Sequence, residues 1–309
     1  MRIAFFGTPE FAVPTLRALA ASEHTLAVFT QPDRPVGRKA ILTPPPVKAA
    51  ALELGLPVHQ YEKIRSPEGC EAIRAFRPDL YAVVAFGQLF SEENLAIPPL
   101  GAINVHGSLL PLYRGASPMQ QTVIDGQRMA GVSTMKLVKR MDAGDVLMKA
   151  ETLLGENETY GELSLRLSEL GAKLFMETLT ALERGEITPE PQEEAKATYC
   201  KMLSRDSGRI DLTAPRQVIH NLIRGTNPWP GAYALQNGEK LKIWRTVLSD
   251  VDLPEDLPVG GLFGDGKKGL FLRCVDGALE ILELQAPGSK KLDGKAFLRG
   301  KNIVGSVLS

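Results

Sequence analysis

Three polar residues could together move an acyl group between nitrogen atoms. Asn104 and His106 lie in a segment that reads Asn-Val-His-Gly-Ser-Leu-Leu-Pro, and Asp142 follows further along the chain. An amide can donate to a developing oxyanion, an imidazole can carry a proton, and a carboxylate can orient the imidazole and favour its charged form. Taken alone, Asn104 and His106 also fit a buried polar pair at a strand end. Asp142, in Met-Asp-Ala-Gly-Asp, also fits an ordinary turn.

The elements that must position these residues form an alternating pattern of strands and helices. Such alternation predicts a Rossmann-like, doubly wound, mostly parallel sheet. Asn104 and His106, two apart at the end of a strand, then point the same way. Ligands of such sheets bind beyond the carboxyl ends of the strands. The predicted strands are Arg2–Phe6, Leu26–Thr30, Leu80–Phe86, Ala102–Val105, Val132–Val138 and Asp145–Leu153, and the predicted helices are Glu10–Ala21, Val47–Leu54, Pro67–Phe76 and Tyr160–Glu183.

A second domain is expected near the end of the chain. Residues 189–205 are rich in proline and charge, which predicts a linker after a first domain of residues 1–188. Residues 206–309 hold one helical stretch and then short strand-like segments separated by glycine, which predicts a small OB-like β-barrel.

The composition excludes several classes of protein. The 309 residues are 44% hydrophobic and 23% charged, as in ordinary globular proteins, and no apolar run approaches the length of a membrane span. Three scattered cysteines give no zinc-ligand spacing and fit a reducing compartment, so we expect a cytoplasmic protein without a metal. The first glycine turn, Gly7–Glu10, lacks the dinucleotide pattern, so NAD is not expected. The sequence has no heptad repeat of apolar residues that would indicate a coiled-coil oligomer, so we expect a monomer.

The net charge of zero hides an asymmetry along the chain. Residues 1–194 carry 19 Lys+Arg and 24 Asp+Glu, whereas residues 195–309 carry 17 and 12. The second part is therefore basic, which favours a nucleic-acid partner, although an excess of this size also occurs on surfaces that bind nothing.

The whole segment Gly101–Ala116 resembles the signature of folate-dependent formyltransferases, and the similarity extends over nearly the whole chain. This resemblance implies that Asn104, His106 and Asp142 are the catalytic residues. It implies 10-formyltetrahydrofolate as formyl donor and a tetrahedral intermediate whose oxyanion Asn104 and His106 stabilise, with support from Asp142. It places the folate against Ser108, Leu109, Leu110 and Pro111, and against backbone groups of Phe86, Gly87, Gln88 and Leu89.

The acceptor is indicated by two further resemblances. The loop Gln31–Pro46 is stiffened by prolines and carries Arg34, Arg38 and Lys39. It is similar to the insertion by which the family members that act on methionyl-tRNA enter the acceptor stem, and residues 206–309 resemble their second domain. The implied acceptor is the α-amine of methionyl-initiator tRNA, which would be formylated for translation initiation. A formyltransferase for sugar-nucleotide amines and a catalytically idle nucleic-acid-binding protein remain as alternatives.

Overall fold

The computed structural model describes residues 1–37, 39–265, 267–300 and 303–309. The chain forms two compact units, and neither is a single stretch of sequence. The first unit consists of Met1–Pro118, Ala130–Thr152 and Ser164–Cys200. The second consists of Met119–Met129, Leu153–Leu163 and Lys201–Ser309. The domain boundaries expected from the sequence, at residues 188 and 206, stay a prediction.

The elements up to Cys200 follow the predicted alternation closely. The helices Pro67–Phe76 and Tyr160–Glu183 have the predicted bounds, and most strands differ by a few residues at their ends. The strands are β1 (Arg2–Gly7), β2 (Thr25–Thr30), β3 (Arg34–Val36), β4 (Ile41–Thr43), β5 (Val58–Gln60), β6 (Leu80–Val84), β7 (Ala102–His106), β8 (Arg114–Gly115), β9 (Met129–Lys136), β10 (Val146–Leu153) and β11 (Tyr199–Cys200). The helices are α1 (Val13–Ala20), α2 (Pro46–Glu53), α3 (Pro67–Phe76), α4 (Glu92–Leu95), α5 (Pro118–Ile124) and α6 (Tyr160–Glu183).

The main sheet of the first unit has the strand order β10-β9-β7-β6-β1-β2-β5. Its strands β5, β2, β1, β6 and β7 are paired in parallel, and β9 runs antiparallel to β7. The predicted doubly wound, mostly parallel sheet is confirmed. Residues Leu80–Val84 are all buried, which explains why this central strand is an unbroken apolar run. Because β1, β6 and β7 are parallel neighbours, the loops that follow them leave the same edge of the sheet.

Two small pairings were missed by the sequence interpretation. The strands β3 and β4 form an antiparallel hairpin inside the predicted loop Gln31–Pro46. The strands β8 and β11 pair in parallel, so that residues 199–200, within the predicted linker, hydrogen-bond to the signature segment. Both pairs are too short to show a period in the sequence.

The second unit contains an antiparallel sheet with the order β12-β13-β16-β15-β14, and β17 pairs with β16. Backbone bonds also join Leu308 N–H to Gly260 O and Ser309 N–H to Leu235 O, each at 2.9 Å. The antiparallel architecture is confirmed, and the OB-like barrel stays a prediction. The elements are β12 (Ala232–Gln236), β13 (Glu239–Ser249), β14 (Leu262–Asp265), β15 (Gly269–Cys274), β16 (Gly277–Gln285), β17 (Leu292–Asp293), α7 (Arg216–Gly225) and α8 (Gly294–Gly300).

Two kinds of feature are absent from the described residues. No helix among them is long and apolar enough to cross a membrane. Nor do they contain a cluster of at least three His, Cys, Asp or Glu side chains that could hold a metal ion.

Candidate active site

Asn104 and His106 lie at the carboxyl end of β7, a strand held on both sides. Asn104 pairs with Val83 of β6 and with Met135 of β9. The two side chains belong to the same face of the strand, as their spacing predicts. Asn104 is 9% exposed and His106 is 6% exposed. The sheet therefore fixes an amide and an imidazole in a site that largely excludes water.

The imidazole of His106 is oriented by a backbone carbonyl. Its Nε2 lies 2.9 Å from Tyr113 O. A carbonyl oxygen can only accept a hydrogen bond, so Nε2 carries a proton and donates it. The other ring nitrogen, Nδ1, lies 3.8 Å from Oδ2 of Asp142. Consequently Nδ1 is the nitrogen that remains for proton transfer, and it faces the carboxylate.

Asp142 lies in a turn, and its side chain is also close to the His106 ring. It lies in the connection between β9 and β10 with a φ of +48°, so it does form part of a tight turn. Its side chain is 15% exposed, and Oδ2 accepts a 2.8 Å hydrogen bond from Gly115 N–H. The structure thus brings Asp142 to His106, although 36 residues of sequence separate them.

The Asp142 turn is held by residues that the sequence interpretation missed. Gln192 Nε2 donates to Asp142 O at 2.9 Å and to Gly144 O at 2.7 Å. Its Oε1 accepts a 3.0 Å bond from Nε of Arg114, a fully buried side chain. Arg114 also forms a two-point ion pair with Glu194, which raises the pKa of Arg114 and lowers that of Glu194. Arg114 stands in the signature segment, but Gln192 lies in the predicted linker, where no local pattern marks it.

Among the predicted folate residues that follow β7, two are buried and make contacts within the protein. Ser108 is 2% exposed and its hydroxyl donates to Leu112 O at 2.6 Å. Leu110 is 1% exposed and packs with Met135 and Val146. Leu109 and Pro111 are half-buried. The side chain of Leu110 thus packs into the protein core. Leu109 and Pro111 retain some exposed surface that a ligand could contact.

The second predicted folate segment is the loop after β6. Phe86 packs its ring into the core, whereas Gly87 is exposed and Leu89 is 68% exposed. The Gln88 side chain bonds to backbone groups of the protein, because it accepts from Ile64 N–H at 2.6 Å and donates to Tyr61 O at 2.8 Å. Backbone groups and the Leu89 side chain are therefore what this loop can offer a ligand.

The side chain of Gln31 crosses from the end of β2 to that loop. It donates to the carbonyl oxygens of Phe86 and Gly87 at 3.1 and 3.2 Å. A Cβ at Gly87 would lie 2.4 Å from the Gln31 amide nitrogen, and Gly87 has a φ of +78°. The left-handed φ favours glycine at position 87, and a side chain there would displace the Gln31 amide from its two hydrogen bonds.

Comparison with known proteins identifies the family of this chain. Residues 1–179 match the formyl transferase family, and residues 202–302 match the formyl transferase C-terminal domain. A protein named methionyl-tRNA formyltransferase from Trichlorobacter lovleyi is 47% identical over 99% of this chain and 96% of its own length. This chain belongs to the formyl transferase family.

Solved structures share the fold of this formyltransferase at low sequence identity. HypX from Aquifex aeolicus, solved in complex with tetrahydrofolic acid, is 17% identical and covers 99% of this chain and 48% of its own, with a TM-score of 0.68. The sugar 3N-formyl transferase WlaRD, solved with dTDP and 5-N-formyl-THF, is 15% identical over 94% of this chain and 99% of its own, with a TM-score of 0.69.

Of the predicted tRNA-binding residues of this formyltransferase, Arg34 lies in β3 and Lys39 lies between β3 and β4, and every residue of these two strands is exposed. Arg34 pairs with Glu62 at 2.6 Å, and both side chains are more than half exposed. Lys39 is also exposed, and Arg38 lies outside the described residues. Apolar side chains share the hairpin with these charges, since Val36, Ile41 and Leu42 are 56%, 62% and 65% exposed.

The second unit of the formyltransferase carries a basic surface that the sequence did not reveal, formed by Arg205, Lys240, Lys242 and Lys291. The ammonium of Lys291 lies 3.6 Å from the ring centroid of Trp244, and that of Lys242 lies 5.0 Å from it. Burial lowers the pKa of Lys242, and the positive charges of the other three residues lower it further. Two of these positive side chains, Lys242 and Lys291, thus lie against the Trp244 ring, whereas Lys240 lies over Tyr233 and 3.7 Å from Asp206.

Proposed function

We propose that this formyltransferase transfers the formyl group of 10-formyltetrahydrofolate to the α-amino group of methionyl-initiator tRNA. The observation that carries the proposal is the joint position of Asn104, His106 and Asp142 at the end of β7. An amide, an imidazole and a carboxylate meet there in a buried site, within a chain whose full-length relatives carry the name of this activity.

The formyl donor supplies an activated amide carbon to the acceptor amine. As the amine adds to this carbon, the side-chain N–H of Asn104 donates to the oxygen that gains negative charge, and protonated His106 stabilises the same charge. A single oxyanion donor of this kind contributes about 10²–10³-fold in rate. The new C–N bond forms, the C–N bond to the folate breaks, and one proton passes from the amine to the folate nitrogen.

His106 Nδ1 and Asp142 are the groups that move this proton. Because His106 Nε2 is bound to Tyr113 O, proton exchange takes place at Nδ1, on the side of Asp142. This differs from a serine-protease triad, in which the carboxylate lies behind the imidazole and the reacting atom lies in front of it. Here Nδ1 and Oδ2 are 3.8 Å apart and do not hydrogen-bond to each other, and we place the reacting amine beside both groups. General acid–base assistance contributes about 10²–10⁴-fold.

The surroundings of the β7 end fit a folate. A flat heteroaromatic group needs apolar walls and a few fixed polar partners. Leu89 and Pro111 offer exposed apolar surface, and the backbone at Gly87 is exposed and held in place by Gln31. We assign the pterin to this edge of the sheet.

The acceptor tRNA is assigned to two surfaces. The sequence of the loop Gln31–Pro46 supplies Arg34, Arg38 and Lys39 for phosphates, and the exposed apolar side chains of the β3–β4 hairpin suit contact with the end of a base-paired stem. The basic surface of the second unit suits phosphates, because a bound phosphate would relieve the mutual repulsion of its lysines. Phosphate contacts of this type position a nucleic acid without reading its sequence.

A sugar-nucleotide amine is the second candidate acceptor, because WlaRD shares the fold. The basic surface of the second unit favours tRNA over it, since a single sugar nucleotide has no need of a second cationic surface. The discriminating experiment offers the purified protein 10-formyltetrahydrofolate with methionyl-initiator tRNA, with uncharged tRNA, or with an amino-sugar nucleotide. Formylation of the aminoacylated tRNA alone is expected. Formylation of the sugar nucleotide alone would overturn the proposed acceptor, and binding of tRNA without any formyl transfer would overturn the proposed activity.

A further inference from the structure

We propose that Gln192 is a positioning residue for formyl transfer, because it fixes the turn that presents Asp142 to His106. This inference rests on the proposed function and adds a residue to it. Gln192 lies well outside the signature segment and has no role in the chemistry described above. Its side chain nevertheless determines where the carboxylate lies.

Both the nitrogen and the oxygen of the Gln192 amide form hydrogen bonds within the protein. The nitrogen donates to two backbone carbonyls of one turn, those of Asp142 and Gly144, and the oxygen accepts from Arg114 Nε. Carbonyl oxygens can only accept, and a guanidinium can only donate. The site therefore requires one donor end and one acceptor end on the same side chain, which an amide has and a carboxylate lacks.

Arg114 makes this arrangement rigid. Its side chain is fully buried, and Glu194 holds the guanidinium through two bonds of 2.9 and 3.2 Å. A buried guanidinium with its charge paired has one stable orientation, so its Nε presents a fixed donor to Gln192. The hydrogen-bonded chain runs from Glu194 through Arg114 and Gln192 to the Asp142 turn.

The same segment also holds the carboxylate directly. Gly115, the residue after Arg114, donates its N–H to Asp142 Oδ2 at 2.8 Å. A Cβ at Gly115 would lie 2.2 Å from Cys200 O, so β8 and β11 approach too closely for any other residue there. The backbone of Asp142 is bonded by Gln192, and its side chain is bonded by Gly115.

Loss of the Gln192 amide would leave two turn carbonyls without their donor. The turn contains Asp142 at φ +48°, a left-handed conformation that is uncommon for residues other than glycine, although aspartate adopts it more often than most. Release of the turn would change the 3.8 Å separation between Asp142 Oδ2 and His106 Nδ1. Misplacement of a catalytic group by about 1 Å can lower a rate about 10²-fold.

The test compares Gln192→Met, which keeps the size and loses both polar ends, with Gln192→Glu, which keeps the acceptor for Arg114 and loses the donor. Both variants should lower kcat for methionyl-tRNA formylation by about 10-fold to 100-fold. KM for the formyl donor should stay within about twofold, because the folate contacts are elsewhere. A kcat within about twofold of wild type in both variants would overturn the inference.

A double-mutant cycle separates positioning from a general structural role. If Gln192 acts through Asp142, Gln192→Met should cause little further loss of kcat in an Asp142→Asn background. An equal loss in both backgrounds would contradict the proposal.

Gln236→Met in the second unit, which loses an amide bond to Ser306, is the matched control and should keep normal kcat. A wild-type protein that formylates no acceptor would instead refute the proposed function. Active wild type with impaired Asp142→Asn and normal Gln192→Met would refute only this inference.

Discussion

The end of β7 and the β3–β4 hairpin are both in the first unit, and they differ in almost every physical property. At the end of β7, Asn104 and His106 are buried, and the ring of His106 is fixed by a backbone carbonyl. On the hairpin, every strand residue is exposed, and the ion pair of Arg34 stands in solvent. Formyl transfer needs distances fixed within a fraction of an ångström, whereas recognition of a large polyanion needs accessible charge. The difference indicates that chemistry and acceptor recognition can be changed separately.

The largest expected effect comes from the imidazole. His106→Ala removes both the proton carrier and a positive charge beside the reacting carbon, so kcat should fall by about 10²–10⁴-fold. Binding of the methionyl-tRNA should change little, because the imidazole is buried at the end of the sheet. Steady-state kinetics with both substrates varied measures the two effects. An increase in the KM for tRNA at unchanged kcat would mean that this region also performs recognition.

The two regions should also differ in their contribution to stability. Leu110 is 1% exposed beneath the signature loop, so Leu110→Ala should lower the free energy of unfolding by about 2–5 kcal/mol. Leu42 is 65% exposed, so Leu42→Ala should change it by no more than about 0.5 kcal/mol. Urea denaturation of both variants makes the comparison. A large loss from Leu42→Ala would show that the hairpin is packed in solution and would weaken the contrast.

A substitution in the loop Gln31–Pro46 should lower the use of methionyl-tRNA and leave binding of the formyl donor unchanged. Arg38→Ala should lower kcat/KM for methionyl-tRNA by about tenfold, the loss of one charge-assisted contact. The affinity for the formyl donor should stay normal, and a fluorescence titration with the folate alone can measure it. Equal loss of both would indicate that the variant hairpin disturbs the sheet edge.

The smallest expected effect comes from a single lysine of the basic surface. Lys291→Gln removes one positive charge beside Trp244, so the slope of log affinity for tRNA against log salt should become shallower by about 1. The KM for the formyl donor serves as the internal control. An unchanged salt slope would remove Lys291 from the tRNA contacts.

Local patterns in the sequence were sufficient for most of the fold. The continuous apolar run that begins at Leu80 predicts a strand buried on both faces. The leucines of α6 recur at helical spacing and predict a helix with its observed bounds; they include Leu163, Leu167, Leu170 and Leu174. Asn104 and His106 could be placed together because they share one strand. Their link to Asp142 came from the resemblance to formyltransferases, since a turn aspartate has no distinguishing local pattern.

Features that depend on distant residues could not be predicted in this way. Gln192 reaches the Asp142 turn across about fifty residues, and the strand pair β8–β11 joins segments that are further apart still. The basic surface gathers side chains from three places in the second unit, namely Arg205, the β13 pair Lys240 and Lys242, and Lys291, so the sequence shows only a diffuse positive balance there. Hydrogen bonds and charges between distant segments leave no periodic signal.

The single-turnover rate of Asn104→Ala measures whether the Asn104 amide stabilises the oxyanion of formyl transfer. Enzyme saturated with 10-formyltetrahydrofolate is mixed with methionyl-initiator tRNA, and formylation is followed by rapid quench, with the dissociation constants of both substrates measured beside it. We expect a rate that is about 10²–10³-fold slower, with both dissociation constants within about twofold of wild type. A near-normal rate, or a slow rate explained by lost binding, would contradict the assignment of Asn104 as the oxyanion donor.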